Sequence, residues 1–275
     1  MSKKHAIGAV LLWSTVASAF KLSLLYMSPL QLLFWAFLTS LVLYGALYFR
    51  SFRPSRENLR SAYLGLVLFL YYTILFSAYD LLPAQEAQAL NYTWPLALVL
   101  LSVPLLKRKL ALKTLFGLFL GFLGALIVAT RGRLLSLGFS NPVGDALGLG
   151  SALIWAAYWL LNVRDVRRLE EKMFWNFLFG FTYVSIAVVA TGNFAVPPAE
   201  GLAGAIYVGL FEMGVTYLLW YRAVESDVAF ASNLAYLVPF LSLLFIALVL
   251  GERIEPTTVL GLVLIVGGIL LGREQ

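Results

Sequence analysis

Apolar residues fall along this chain in long runs broken by short polar stretches. A helix that crosses a bilayer needs about 20 consecutive residues of this kind. Ten segments supply them: 5–26, 29–49, 60–79, 85–106, 112–130, 145–163, 174–191, 202–221, 228–250 and 257–272. Short polar turns separate them, so the pattern predicts an all-α integral membrane protein with ten transmembrane helices. The first run is followed by more of the same and reads as a first span, not as a removed signal peptide.

The polar interruptions repeat. Gln88-Ala89-Leu90-Asn91-Tyr92-Thr93-Trp94-Pro95 lies inside the fourth run, and Ser232-Asn233-Leu234-Ala235-Tyr236-Leu237-Val238-Pro239 inside the ninth. Their Tyr-x-x-Pro skeletons stand 144 positions apart (Tyr92 and Tyr236), each with a polar residue four before the Tyr. Gly8-Ala9-Val10-Leu11-Leu12-Trp13 likewise resembles Gly150-Ser151-Ala152-Leu153-Ile154-Trp155, and the fifth and tenth runs carry Gly117/Gly121/Gly124 and Gly261/Gly267/Gly268. Small residues at this spacing suit close helix packing. We therefore expect two five-helix repeats, 5–130 and 145–272, joined by a linker at 131–144. Five is odd, so the second repeat enters the membrane upside down relative to the first. Inverted repeats with a Pro-interrupted polar segment in each half point to a transporter with its site near the midplane.

Composition fits this picture. Hydrophobic residues make up 61% and charged residues 12% of the chain, against roughly 45–50% and 25% in soluble domains. The net charge of +6 does not indicate nucleic-acid binding, because the basic residues lie in short loops where topology accounts for them. Sixteen of the 20 Lys and Arg sit in the loops and termini that alternate onto one side, at 3–4, 50–60, 107–113, 164–172, 222 and 273. Arg131, Arg133 and Arg253 fall on the other side, and Lys21 within the first span. The positive-inside bias then puts both termini in the cytoplasm. With no Cys and only His5, disulfides, thiol catalysis and a Cys/His metal centre are not expected.

Within the spans, Gln88, Tyr92 and Pro95 share one helix face at i, i+4 and i+7, as do Ser232, Tyr236 and Pro239. Pro95 and Pro239 each free a carbonyl four residues back and bend the helix. Such amides and kinks either line a cavity or join helices. Tyr92 and Trp94 are about 200° apart on an ideal helix, so both face one cavity only if it wraps the helix or the kink rotates one of them. Trp155 lies deep in its span, whereas Trp159, Trp175 and Trp220 near span ends read as an interfacial belt. In span 3 Tyr72, Phe76 and Tyr79 form a stripe with Tyr71 beside it, and one of the adjacent tyrosines must point away. Glu212 lies mid-span, where a carboxyl needs a proton or a partner; it carries a proton, anchors an ammonium, or is a structural hydrogen-bonded group. Lys21 is roughly 7–8 Å of rise from its span end; it snorkels or, facing inward, holds a carboxylate. Asp80, Glu86, Glu225 and Asp227 read as solvated span ends.

These features together, with Gly251-Glu252 ahead of a Gly-rich last helix, resemble the EamA family of the drug/metabolite transporter superfamily over essentially the whole chain. More narrowly, Asn91-Tyr92-Thr93-Trp94-Pro95 resembles the Asn-Tyr-Leu-Trp-Pro run of YddG-type aromatic amino-acid exporters, departing at Thr93. The first repeat also has Lys107-Arg108-Lys109 where the family often carries an acidic residue. The resemblance implies a central cavity among spans 1, 3, 4, 6, 8 and 9, lined by Tyr71, Tyr72, Tyr92, Trp94 and Trp155. It implies a small-molecule substrate, no bound cofactor and no direct use of ATP, in keeping with the absence of a phosphate-loop motif. The leading expectation is a secondary transporter in the plasma (inner) membrane, working as a monomer and exporting amino acids, aromatic ones included. Rings would stack on the side chain while Gln88, Asn91 and Asn233 bind the zwitterion. A multidrug or nucleotide-sugar/phosphate carrier is the alternative, though Lys21 is the sole candidate cation for a phosphate. A membrane-embedded enzyme or scaffold is more remote, since no catalytic constellation is present.

Overall fold

Among the described residues each apolar run folds as helix, and helices break where a proline or a buried carboxyl interrupts the run. The computed structural model describes residues 2–49, 54–106, 112–133, 141–162, 165–226 and 234–272. The first five spans are α1 (Ser2–Leu24), α2 (Pro29–Tyr48), α3 (Arg60–Leu81), the pair α4 (Ala84–Asn91) and α5 (Trp94–Leu106), and α6 (Leu112–Ala129). The second five are α7 (Pro142–Asn162), α8 (Leu169–Ala190), the pair α9 (Ala199–Phe211) and α10 (Val215–Ser226), the ninth span, and α12 (Pro256–Gly272). In the described part of the ninth span a turn at 236–237 breaks the helix, and α11 (Val238–Phe245) follows, extended by a π-helical turn at Ile246–Leu250. Seven of these helices, counting α9 and α10 as one, are long and apolar enough to cross a membrane unaided. The protein is an all-α membrane protein of ten transmembrane helices in two inverted five-helix repeats.

Local chemistry sets the boundaries. Pro29 opens α2 behind Ser28, whose hydroxyl accepts the Gln31 N–H at 3.4 Å while Gln31 Oε1 accepts the Ser28 N–H at 3.0 Å, a reciprocal capping box. Helix α8 starts at Leu169, five residues before the apolar run does. Glu170 and Glu171 occupy its first turn, where the N-terminal end of the helix dipole favours negative charge.

The repeats exchange their first helices. Helix α1 packs on α9, α10 and α11, whereas α7 packs on α3, α4 and α5. Helix α2 lies against α8 and α9, α3 against α8, and α6 against α12. Glycines mark the symmetry. A Cβ on Gly124 would strike the Gly261 carbonyl, and one on Gly268 the Gly117 carbonyl; the 144-residue offset carries each contact into the other. Gly65 packs on Gly180 and its counterpart Gly209 on Ala36 in the same way. Backbone cannot retreat like a flexible side chain, so Gly124→Val is expected to destabilise the fold by about 1–3 kcal/mol or more. Thermal unfolding of the purified variant should show a clearly lowered midpoint; an unchanged midpoint would mean the helices are free to separate.

Candidate functional site

The three broken spans meet at the centre of the bundle. Pro95 has no N–H to bond the Asn91 carbonyl, so α4 ends at Asn91, a single turn follows, and α5 restarts at Trp94. This break resolves the angular conflict between Tyr92 and Trp94: both line one chamber. The break between α9 and α10 was not foreseen, because no proline marks it. There the carbonyls of Met213 and Gly214 each accept a hydrogen bond from the Tyr44 hydroxyl at 3.0 Å. The Thr216 hydroxyl donates to the Phe211 carbonyl. Side chains thus take up the backbone acceptors that the missing turn releases, and Glu212 sits at the break.

The chamber has a volume of about 100 Å³, and its lining includes Tyr71, Gln88, Asn91, Tyr92, Trp94, Trp155 and Glu212. Trp155 stacks with Tyr71, at a centroid distance of 4.6 Å and 22° between planes, and with Tyr158, at 5.3 Å and 12°. Asn91 Nδ2 donates to Ser151 Oγ at 2.9 Å, and the Tyr79 hydroxyl donates to Gln88 Oε1 at 2.5 Å. The Tyr92 hydroxyl donates across the repeats to the Ala235 carbonyl. Tyr71 and Tyr72 divide as adjacent residues on a helix must. Tyr71 faces the chamber, while Tyr72, fully buried, turns its hydroxyl to Glu212 Oε1 at 3.4 Å and to the Tyr217 hydroxyl at 3.1 Å. Glu212 is 8% exposed and has no ion-pair partner among the described residues.

Other sequence candidates lie elsewhere. Tyr236 and Pro95 line a separate cavity of about 170 Å³ against α6 and α12, and Pro239 is buried in the first turn of α11. Lys21 lines a pocket at the end of the bundle opposite the basic loops, beside Glu86, Arg131, Glu252 and Arg253. Asn233 falls outside the described residues, as do Asp227 and the Glu225 side chain. Two expectations are corrected. Glu86 is not a solvated span end: it is 1% exposed and accepts an ion pair from Arg131 Nε at 2.6 Å. Trp159 and Trp220 are not belt residues, because both line the chamber and the adjoining cavity at the basic end. Trp13, which packs on Trp220 at 5.2 Å, and Phe20 also line the chamber. For Trp13 the signal in the sequence was its place opposite Trp155 in the repeat; for Phe20 it was membership of span 1 alone.

The two ends of the bundle differ. At the end opposite the basic loops, Phe20, Tyr79 and Gln88 close the chamber, and a latch between the repeats lies beyond them. Glu252 accepts the backbone N–H groups of Ala84 at 3.0 Å and Gln85 at 3.4 Å, capping α4 with a carboxylate. Gln85 Nε2 donates to the Arg253 carbonyl at 3.0 Å, and Gln85 Oε1 accepts the Glu255 N–H at 2.9 Å. At the basic end the chamber adjoins a cavity of about 290 Å³ through Trp159 and Trp220.

An inverted-repeat bundle with a polar, aromatic chamber at its broken helices is a membrane transporter in architecture. The EamA-like transporter family matches residues 5–130 and 142–272, and the chain belongs to that family. An uncharacterised transporter from Archaeoglobus fulgidus is 26% identical over 98% of this chain and 97% of its own. The aromatic amino acid exporter YddG of Ancylobacter novellus is 28% identical over 73% of this chain and 71% of its own. A solved crystal structure shares the fold, with a TM-score of 0.70 at 23% identity, covering 98% of this chain and 95% of its own.

Proposed function

We propose that the protein is a secondary exporter of small amphipathic metabolites, aromatic amino acids foremost, acting by alternating access across the plasma membrane. The observation that carries this reading is the chamber itself: stacked aromatic walls, two amides and one carboxyl without a paired cation. Rings suit an aromatic side chain, and a desolvated carboxyl suits an ammonium or a proton. The chamber's described lining contains no lysine or arginine, which disfavours a phosphate-bearing substrate. A relative named for aromatic amino-acid export supports the same class. No catalytic role is assigned to any residue.

In this reading the basic end faces the cytoplasm. In that orientation the cavity at Trp159 and Trp220 lies on the cytoplasmic side of the chamber, and the Glu252 latch lies on the outer side, where it would hold the chamber closed. A carboxylate on a helix N-terminus is favourable by roughly 0.3–1 kcal/mol at exposed sites and up to about 2 kcal/mol when partly buried. Glu252→Gln weakens that interaction at nearly constant shape. A cysteine placed at Val16, in the chamber of this cysteine-free chain, should then react severalfold faster with an impermeant maleimide applied from outside. An unchanged rate would remove Glu252 from the account of closure.

The substrate class is tested by counterflow in proteoliposomes with a panel of labelled amino acids. Exchange of L-tryptophan and L-phenylalanine well above that of L-lysine and L-aspartate is expected. Absence of exchange for every aromatic amino acid would refute the reading.

A further inference from the structure

We propose that the cavity at the basic end is a second binding site, in which Lys172 takes the carboxylate of an aromatic substrate before it reaches the central chamber. The direction of travel rests on the exporter reading above; the site itself rests on the cavity. Its walls include Tyr158, Trp159, Asn162, Lys172, Trp220 and Tyr221, around a volume of about 290 Å³.

Lys172 carries its charge on the wall of this cavity. The residue is 9% exposed, so its ammonium is not spread into water as a snorkelling lysine's would be. It reaches the Asp165 main-chain carbonyl at 3.5 Å and lies 5.8 Å from the centre of the Tyr221 ring. Asp165 offers it little neutralisation, because its carboxylate is engaged by Arg167. Arg167 Nη2 donates to Oδ2 at 2.6 Å, Nε donates to both oxygens at 3.0 and 3.2 Å, and the Arg167 backbone N–H donates to Oδ1 at 3.1 Å. Burial works against the charged form of Asp165, but these Arg167 bonds outweigh it and hold the carboxyl below its ordinary pKa. The other arginine donors go to Asn58 Oδ1 at 3.1 Å and Ser61 Oγ at 2.8 Å. Asp165 and Arg167 therefore form a closed, neutral pair, and among the described residues Lys172 is the surplus cation on the cavity wall.

A buried cation without a counter-charge is costly, and an anion entering the cavity removes that cost. One lysine balances one carboxylate and falls short of a doubly charged phosphate. The aromatic walls at Trp159, Trp220 and Tyr221 select a carboxylate that carries a ring. Two further polar atoms point to a ligand. Asn162, 7% exposed, has its Oδ1 buried without a hydrogen-bond partner among the described residues, and so does Trp159 Nε1. An acceptor and a donor beside an ammonium and a set of rings match the headgroup and side chain of an aromatic α-amino acid.

The test uses the full-length chain in nanodiscs with a single cysteine at Leu169, which lines this cavity, and indole-3-propionate as the probe. The probe should slow maleimide labelling of that cysteine at least threefold. Lys172→Gln should abolish the protection and Lys172→Arg should retain it. Tryptamine, which has the ring but no carboxylate, should give no protection that depends on Lys172. The same protection should persist in a Trp94→Ala background, which leaves the cavity intact while removing a wall of the central chamber. No protection by indole-3-propionate, equal protection in Lys172→Gln, or its loss in Trp94→Ala would overturn the second site. Failure of aromatic amino-acid counterflow with the protection preserved would refute the exporter reading and leave this site standing.

Discussion

Glu212→Gln is expected to abolish substrate accumulation driven by a pH gradient while leaving counterflow exchange near its original rate. The carboxyl sits at the break between α9 and α10 with one hydroxyl contact, from Tyr72 at 3.4 Å, and no cation beside it among the described residues. In low dielectric an unpaired carboxyl favours its neutral form. A proton-coupled cycle would protonate it in one facing state and empty it in the other. Glutamine keeps the shape and the acceptor but cannot carry the proton, so the driven process stops. Exchange moves no net proton and continues. Full pH-driven accumulation in Glu212→Gln would make the carboxyl structural; loss of binding itself would identify it as an ammonium anchor.

The second large effect concerns the aromatic walls. Trp94→Ala is expected to weaken L-tryptophan binding about tenfold at near-normal yield. Trp94 is only partly buried at the start of α5, so its removal takes away a stacking surface, worth roughly 0.5–1.5 kcal/mol per ring pair beyond burial, and little packing. Trp155 differs. It is 7% exposed and stacked with both Tyr71 and Tyr158. Trp155→Ala should therefore lower stability by about 3–5 kcal/mol as well as transport. Trp155→Phe separates the two effects, since it keeps a ring in the stack. Equal affinity in Trp94→Ala and Trp155→Phe would remove both from the site.

The sequence announced the fold well because its signals are local. Ten apolar runs, the 144-residue offset between Tyr92 and Tyr236, and the paired glycines each need only the chain order. The site was legible where an interruption was chemically marked. Pro95 broke its helix as a missing N–H requires, and Trp155 lay deep. What escaped depended on partners far away in sequence. The α9–α10 break is supported by Tyr44, about 170 residues away, and no proline announces it. Glu86 looked solvated until Arg131 closed on it. Trp159 and Trp220 sit near span ends, where depth alone says belt, yet the helices they belong to turn them onto the chamber and the cavity beside it. Tyr236 shares its motif with Tyr92 but faces α6 and α12, so repeat symmetry in sequence does not carry over to the chamber wall.

If the proposed function holds, an aromatic amino acid binds in the chamber between the repeats. The most direct measurement is an electron cryomicroscopy structure of the full-length protein in nanodiscs with L-tryptophan. Ligand density is expected with its indole ring against Trp94 and the Tyr71–Trp155 stack. Density confined to other surfaces, with this chamber unchanged at saturating L-tryptophan, would contradict it.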